Sequence, residues 1–153
     1  MDDIDRRLLA LIQRDATATV AEISDRIGIS STPVWKRLKS LEKTGVIRCR
    51  VALLDSEAIG LKLTGFVLIR TSDHSEGWLA QFAGVLAEIP EVIEVHRMAG
   101  DIDYILKVVA PDMEGYDRIY KRLIKKVKLS DVSASFSMEL IKATTVLPLD
   151  YAN

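Results

Sequence analysis

The chain has 153 residues, 48% of them hydrophobic and 28% charged, which suits one or two small folded domains and argues against disorder. Its longest apolar run, Leu8–Ile12, is far too short for a bilayer span, and the opening MDDIDRR does not resemble a signal peptide. A single cysteine, Cys49, excludes an internal disulfide or a multi-cysteine zinc site, so a cytoplasmic protein with no membrane partner is expected.

The net charge of −1 conceals a split. Residues 30–50 carry Lys36, Arg37, Lys39, Lys43, Arg48 and Arg50 against Glu42 alone, whereas residues 51–153 are net acidic. Local field, not total charge, draws phosphate to a surface.

Asp2 or Asp3 can cap a first helix running to about Arg14, with Ile4, Leu8, Leu11 and Ile12 facing inward. Thr19 and Glu22 have capping-box spacing, and Val20, Ile23 and Ile27 form the stripe of a second helix. Gly28 suits a left-handed helix end. Ser30 can cap a third helix, in which Pro33 falls in the first turn where no amide donor is needed. Val34, Leu38 and Leu41 give that helix its apolar side. Ser31, Thr32, Pro33, Lys36, Arg37, Lys39, Ser40 and Lys43 are its candidate DNA-contacting residues, since a helix apolar on one side and basic on the other suits the major groove. Val46–Leu53 follows as a short strand or wing whose Arg48 and Arg50 could reach phosphates.

The segment Asp55–Lys62 reads as a linker. Beyond it, hydrophobic patterning predicts a strand over Leu63–Thr71, a helix carrying Trp78, Phe82, Val85 and Ile89, and a strand over Val92–Ala99. A Gly100–Asp103 turn, a strand over Tyr104–Ala110, a second helix after Pro111-Asp112 and a strand over Val132–Ile141 complete the order. This β-α-β-β-α-β order is the ferredoxin-like split motif. The fold class is therefore α+β: a three-helix (winged) helix-turn-helix domain at 1–50, a linker at 51–62 and a ferredoxin-like domain at 63–153. Helices can cover one sheet face only, and the aliphatic residues on both faces of the first strand predict a sheet-to-sheet homodimer.

No pair of residues has metal-ligand spacing, no glycine-rich phosphate loop is present, and no nucleophile comes with an evident base. His74 and His96 read as loop and strand residues, so neither an enzyme nor a metal site is expected. An RNA-binding sheet would need stacking aromatics on its central strands, which YILKVVA lacks. The remaining alternative is an amino-acid-sensing module without promoter specificity of its own, against which the N-terminal motif argues.

Two blocks, DDIDRRLLALIQRDATATVAEISDRIGISSTPVWKRLKSLEKTGVI and AGDIDYILKVVAPDMEGYDRI, and the distance between them resemble the Lrp/AsnC, or feast/famine, family of transcription regulators. Ser31 stands where many members have proline. The resemblance implies a regulator of amino-acid metabolism that binds double-stranded DNA at a roughly palindromic operator. It also implies a homodimer that often assembles to an octamer, no cofactor, and an amino-acid effector held between subunits. Carried over by position, the effector residues would be Met98, Gly100, Asp101, Asp103 and Tyr104 around the hairpin, with Phe136, Ser137 and Met138 on the last strand, and Met113 likewise. From the residues alone, Gly100-Asp101 is first a good turn. It also offers free amides to a carboxylate and carboxylates to an ammonium group.

Overall fold

The computed structural model describes residues 1–152 and divides the chain into two compact units. The first holds Met1–Leu53 together with the segment from Ile141 onward; the second is Leu54–Leu140.

Three helices make up the first unit: α1 (Asp3–Ile12), α2 (Val20–Ile27) and α3 (Ser31–Lys43). The expected capping box of α2 forms, and α1, for which only an Asp2 or Asp3 cap was expected, carries one as well. Asp2 accepts from the Asp5 amide at 2.9 Å while Asp5 accepts from the Asp2 amide, and Thr19 and Glu22 exchange the same pair of bonds. Gly28 ends α2 at φ 72°, the left-handed geometry that glycine adopts without strain. Ser30 occupies the N-cap of α3 but makes no side-chain cap bond. Leu8, Ile23, Ile27, Val34 and Leu38 form one core, to which each helix contributes; helices this short hold only by such packing. Over Val46–Leu53, where a strand or wing was expected, the chain bends at Val46 and Ile47 and then forms no ladder among the described residues.

Residues 63–153 were expected to form one domain, yet the segment from Ile141 belongs with the first unit. Gln13, the C-cap of α1, meets it as a strand edge would: its Nε2 donates to the Leu147 carbonyl at 3.2 Å, and its Oε1 accepts from the Leu147 amide at 2.7 Å. Arg6 donates to the Ala152 carbonyl at 2.7 Å. An apolar cleft of about 440 Å³ lies beside this contact, lined by Leu9, Ile12, Val46, Leu147 and Leu149 among others.

The second unit has the expected order: β1 (Leu63–Arg70), α4 (Glu76–Ala87), β2 (Val92–Arg97), β3 (Tyr104–Ala110), α5 (Met113–Lys126) and β4 (Asp131–Phe136). The strands form one antiparallel sheet in the spatial order β2-β3-β1-β4. Val67, Ile69, Leu106 and Val108 point under the helices and meet Trp78, Phe82, Ile89, Ile119 and Leu123 in the core. Trp78 stacks on Phe82 with centroids 4.8 Å apart, and Tyr104 tilts against Phe82 at 5.0 Å. β4 stops at Phe136, short of the expected Ile141. Phe136 pairs with Gly65, and one more bond runs from the Ser137 amide to the Thr64 carbonyl before β1 ends at Leu63. The shorter strand thus follows from the length of its partner.

Candidate nucleic-acid interface and ligand site

The first candidate surface is built on α3. Its inward side is fixed by Val34, Leu38 and Leu41, all buried. Residues three or four apart share a face on a helix, so Thr32, Lys36, Lys39 and Lys43 line up on the opposite side, all exposed. Lys36 and Lys43 have no carboxylate partner among the described residues. Lys39 is held by Glu42 at 2.8 Å, and Glu42 also takes Arg50 at 3.3 Å. These exposed pairs are weak and can be exchanged for phosphate. Ser31 lies with its hydroxyl 3.1 Å from that of Ser24, which itself donates to the Val20 carbonyl. Pro33 and Ser40 are exposed.

Arg37 sits elsewhere. Its Nη1 donates to Asp2 Oδ2 at 2.6 Å and to Asp5 Oδ1 at 2.8 Å. The same two carboxylates form the capping box of α1, so one guanidinium joins the start of that helix to the middle of α3. The Asp5 and Asp2 carboxylates hold the Arg37 guanidinium above its usual value. The Asp5 backbone amide, followed by Arg37, holds the Asp2 carboxyl below the usual aspartate range. Expected as a DNA contact, Arg37 is engaged inside the domain. Sequence spacing carried the signal: position 37 falls three after Val34 and four before Leu41, on the rim of the buried side.

The second candidate surface surrounds the turn between β2 and β3. Gly100 takes φ 130°, which its missing Cβ allows. Asp103 is used by the fold: its Oδ2 accepts from the Thr71 amide at 2.8 Å, its own amide donates to the Ile69 carbonyl, and its carbonyl accepts from Met98. Arg70, which sequence reasoning missed, donates from Nε to the Asp101 carbonyl at 2.7 Å and pairs with Asp131 at 3.3 Å. The only hint of it was a cation ending an apolar strand. Met98 and Asp101 are exposed beside this clamp. Tyr104, expected as an effector residue, is 6% exposed and packs in the core against both Trp78 and Phe82.

Phe136, Ser137 and Met138 lie at the other end of the sheet. Phe136 meets Tyr116 edge-on, with ring centroids 4.9 Å apart, and packs over Gly65. Met138 is 98% exposed. The hairpin sits beside Ile69 and Arg70, while Phe136 and Ser137 sit beside Gly65 and Thr64. At about 3.3 Å per residue, the two groups are about 17 Å apart along β1. Within one chain they do not form a single site. Between them, Phe66, Leu68 and Ile105 occupy the sheet face away from the helices, flanked by a Lys107–Glu94 pair at 3.0 Å.

Comparison with known proteins agrees with this two-part arrangement. Residues 1–48 match the winged helix-turn-helix DNA-binding family, and residues 64–147 match the Lrp/AsnC ligand binding domain. The chain is 52% identical over 149 residues to the glutamate uptake regulatory protein of Zymomonas mobilis, covering 97% of this chain and 91% of that one. It is 50% identical to the DNA-binding transcriptional activator DecR of Escherichia coli, covering 98% and 99%. Among solved structures, an AsnC family transcriptional regulator from Agrobacterium tumefaciens superposes with a TM-score of 0.96 at 51% identity over the whole of both chains. A transcriptional regulator from Neisseria meningitidis, solved with L-Met, superposes at 0.92 with 30% identity, covering 98% and 97%. Helix-turn-helix and ligand domain, in this order and at this spacing, describe DNA-binding regulators that respond to small effectors, not enzymes; the chain belongs to the Lrp/AsnC family of transcriptional regulators.

Proposed function

We propose that two copies of the chain pack sheet to sheet and that an amino acid binds between them, setting the affinity of a pair of α3 helices for a roughly palindromic operator. The observation that carries this reading is the separation of the ligand-site residues on β1. The hairpin around Gly100–Asp103 and the segment Phe136–Met138 lie at opposite ends of one sheet, with Phe66 exposed and Leu68 and Ile105 half-buried between them. Stacking a second sheet on that face by a two-fold axis buries the apolar residues and brings one copy's hairpin toward the other's β4 end. The exposed Asp101 carboxylate and the backbone of the Gly100 turn then suit the two charges of a free amino acid.

In this reading the dimer places its α3 helices in successive major grooves about 34–36 Å apart. Lys36, Lys39 and Lys43 contact phosphates or bases, and Ser31, Thr32, Pro33 and Ser40 approach base edges or sugars. An effector that binds one assembly better than another shifts DNA affinity by that difference and no more. Dimers assembling to an octamer, a role in amino-acid metabolism and a cytoplasmic location complete the proposal.

Its test is a thermal-shift screen of the standard amino acids, L-Met and L-Glu among them, read together with mass by light scattering. The proposal requires at least one amino acid to raise the melting temperature in a protein whose mass is a dimer or a multiple of it. A monomeric mass throughout would overturn it.

A further inference from the structure

Trp35 is the one large aromatic on α3, and it is 52% exposed. Burying an indole stabilises a fold by removing about 150–250 Å² from water, yet here half of it is left outside. Its neighbours explain where it points. Ser31 and Thr32 lie four and three residues before it, and Lys39 lies four after; all three are exposed. Trp35 therefore shares its side of the helix with the candidate DNA-contacting residues, while Arg37 is drawn away to Asp2 and Asp5. It also stands in the N-terminal half of the helix, the part that meets base edges when such a helix enters the major groove. In that groove the 5-methyl group of thymine is the one apolar feature that distinguishes a base.

We propose that Trp35 is a specificity-determining residue of this regulator, packing its indole against a thymine methyl group in each half-site. The assignment rests on the placement of α3 in the major groove. Lysines on phosphates fix the helix against any sequence, whereas an indole on a methyl group rewards one base.

The test begins with selection of binding sites from a random duplex pool by the full-length protein. Each thymine of the selected site is then replaced by deoxyuridine, which removes only the methyl group, and affinities are measured for the wild type and Trp35→Ala. Loss of one buried methyl should weaken wild-type binding about fourfold, and about fifteenfold when both half-sites are changed. Trp35→Ala should lose a similar factor on the thymine site and show no further loss on deoxyuridine, and Trp35→Phe should recover part of it. Iodide quenching gives an independent reading, because the other tryptophan, Trp78, is 6% exposed and shielded in the core. Quenching of Trp35 should fall on adding the selected DNA. Equal deoxyuridine effects in wild type and Trp35→Ala would overturn the proposal, as would shielding of Trp35 that rises with protein concentration in the absence of DNA. Lys36→Ala serves as the control: unchanged affinity there removes the placement of α3 itself, whereas weakened binding without thymine coupling removes Trp35 alone.

Discussion

Arg37 and Lys36 are adjacent in sequence but differently placed: Arg37 is paired with Asp2 and Asp5, and Lys36 is exposed. Lys36 is exposed on the outer side of α3, and each phosphate contact contributes about 0.9 to the slope of log affinity against log salt. In a dimer, Lys36→Ala removes two such contacts, so the slope should fall by about 1.8 while the domain melts as before. Arg37→Ala breaks the bonds to Asp2 and Asp5, so it should lower the melting temperature and weaken binding to every DNA sequence with little change in slope. Anisotropy titrations at several salt concentrations separate the two cases; a slope that falls equally for both variants would return Arg37 to the DNA surface. The composition of α3 did not reveal this difference. Its basic character was legible, but the carboxylates that claim Arg37 lie more than thirty positions earlier, and only the packing of α1 brings them to it.

Helices were the most legible elements because their signals are local. Thr19 and Gly28 act within a few residues of their own position and stand where the spacing placed them; of Asp2 and Asp3 it is Asp2 that caps α1, and Asp112 caps the helix that Pro111-Asp112 opens. Strand ends depend on a partner, which is why β4 proved shorter than its alternating sequence and Val46–Leu53 found no ladder. The caps also carry a pH dependence. The Thr19 backbone amide, then its hydroxyl, holds the Glu22 carboxyl below the usual range, as the Asp5 amide does for Asp2. A carboxylate depressed on folding contributes stability that is complete above its unfolded value and is lost as pH falls through its folded value. Thermal unfolding should therefore be level above about pH 5 and weaken below about pH 4, with a shallower decline in Asp2→Asn; identical pH profiles would contradict this. At the start of α5, a Cβ on Gly115 would lie 2.8 Å from the Pro111 ring. Gly115→Ala should cost about 1–3 kcal/mol through overpacking, seen as a lower denaturant midpoint.

At the scale of the whole molecule, the proposal of paired subunits turns on the sheet face away from the helices. The split βαββαβ order could be read from periodicity, and so could the aliphatic residues on both faces of β1. Which residues form the ligand site could not. Tyr104 looked like a hairpin residue and lies in the core, Asp103 braces the turn, and Arg70 closes it. These roles depend on which strand ends become neighbours in the sheet. If the open face joins two copies, Leu68→Asp places a charge in each half of the interface, which is costly when no partner neutralises it. The variant should remain folded by circular dichroism, run as a monomer, and lose both paired DNA binding and the response to amino acids. A folded Leu68→Asp protein that keeps the wild-type mass would place the interface elsewhere.

The central claim, that α3 presents its lysines to DNA from paired subunits, is tested most directly by the salt dependence of affinity for Lys36→Ala/Lys43→Ala on selected duplex DNA. Four lost phosphate contacts per dimer predict a slope smaller than wild type by about 3.6. An unchanged slope in a folded dimer would contradict it.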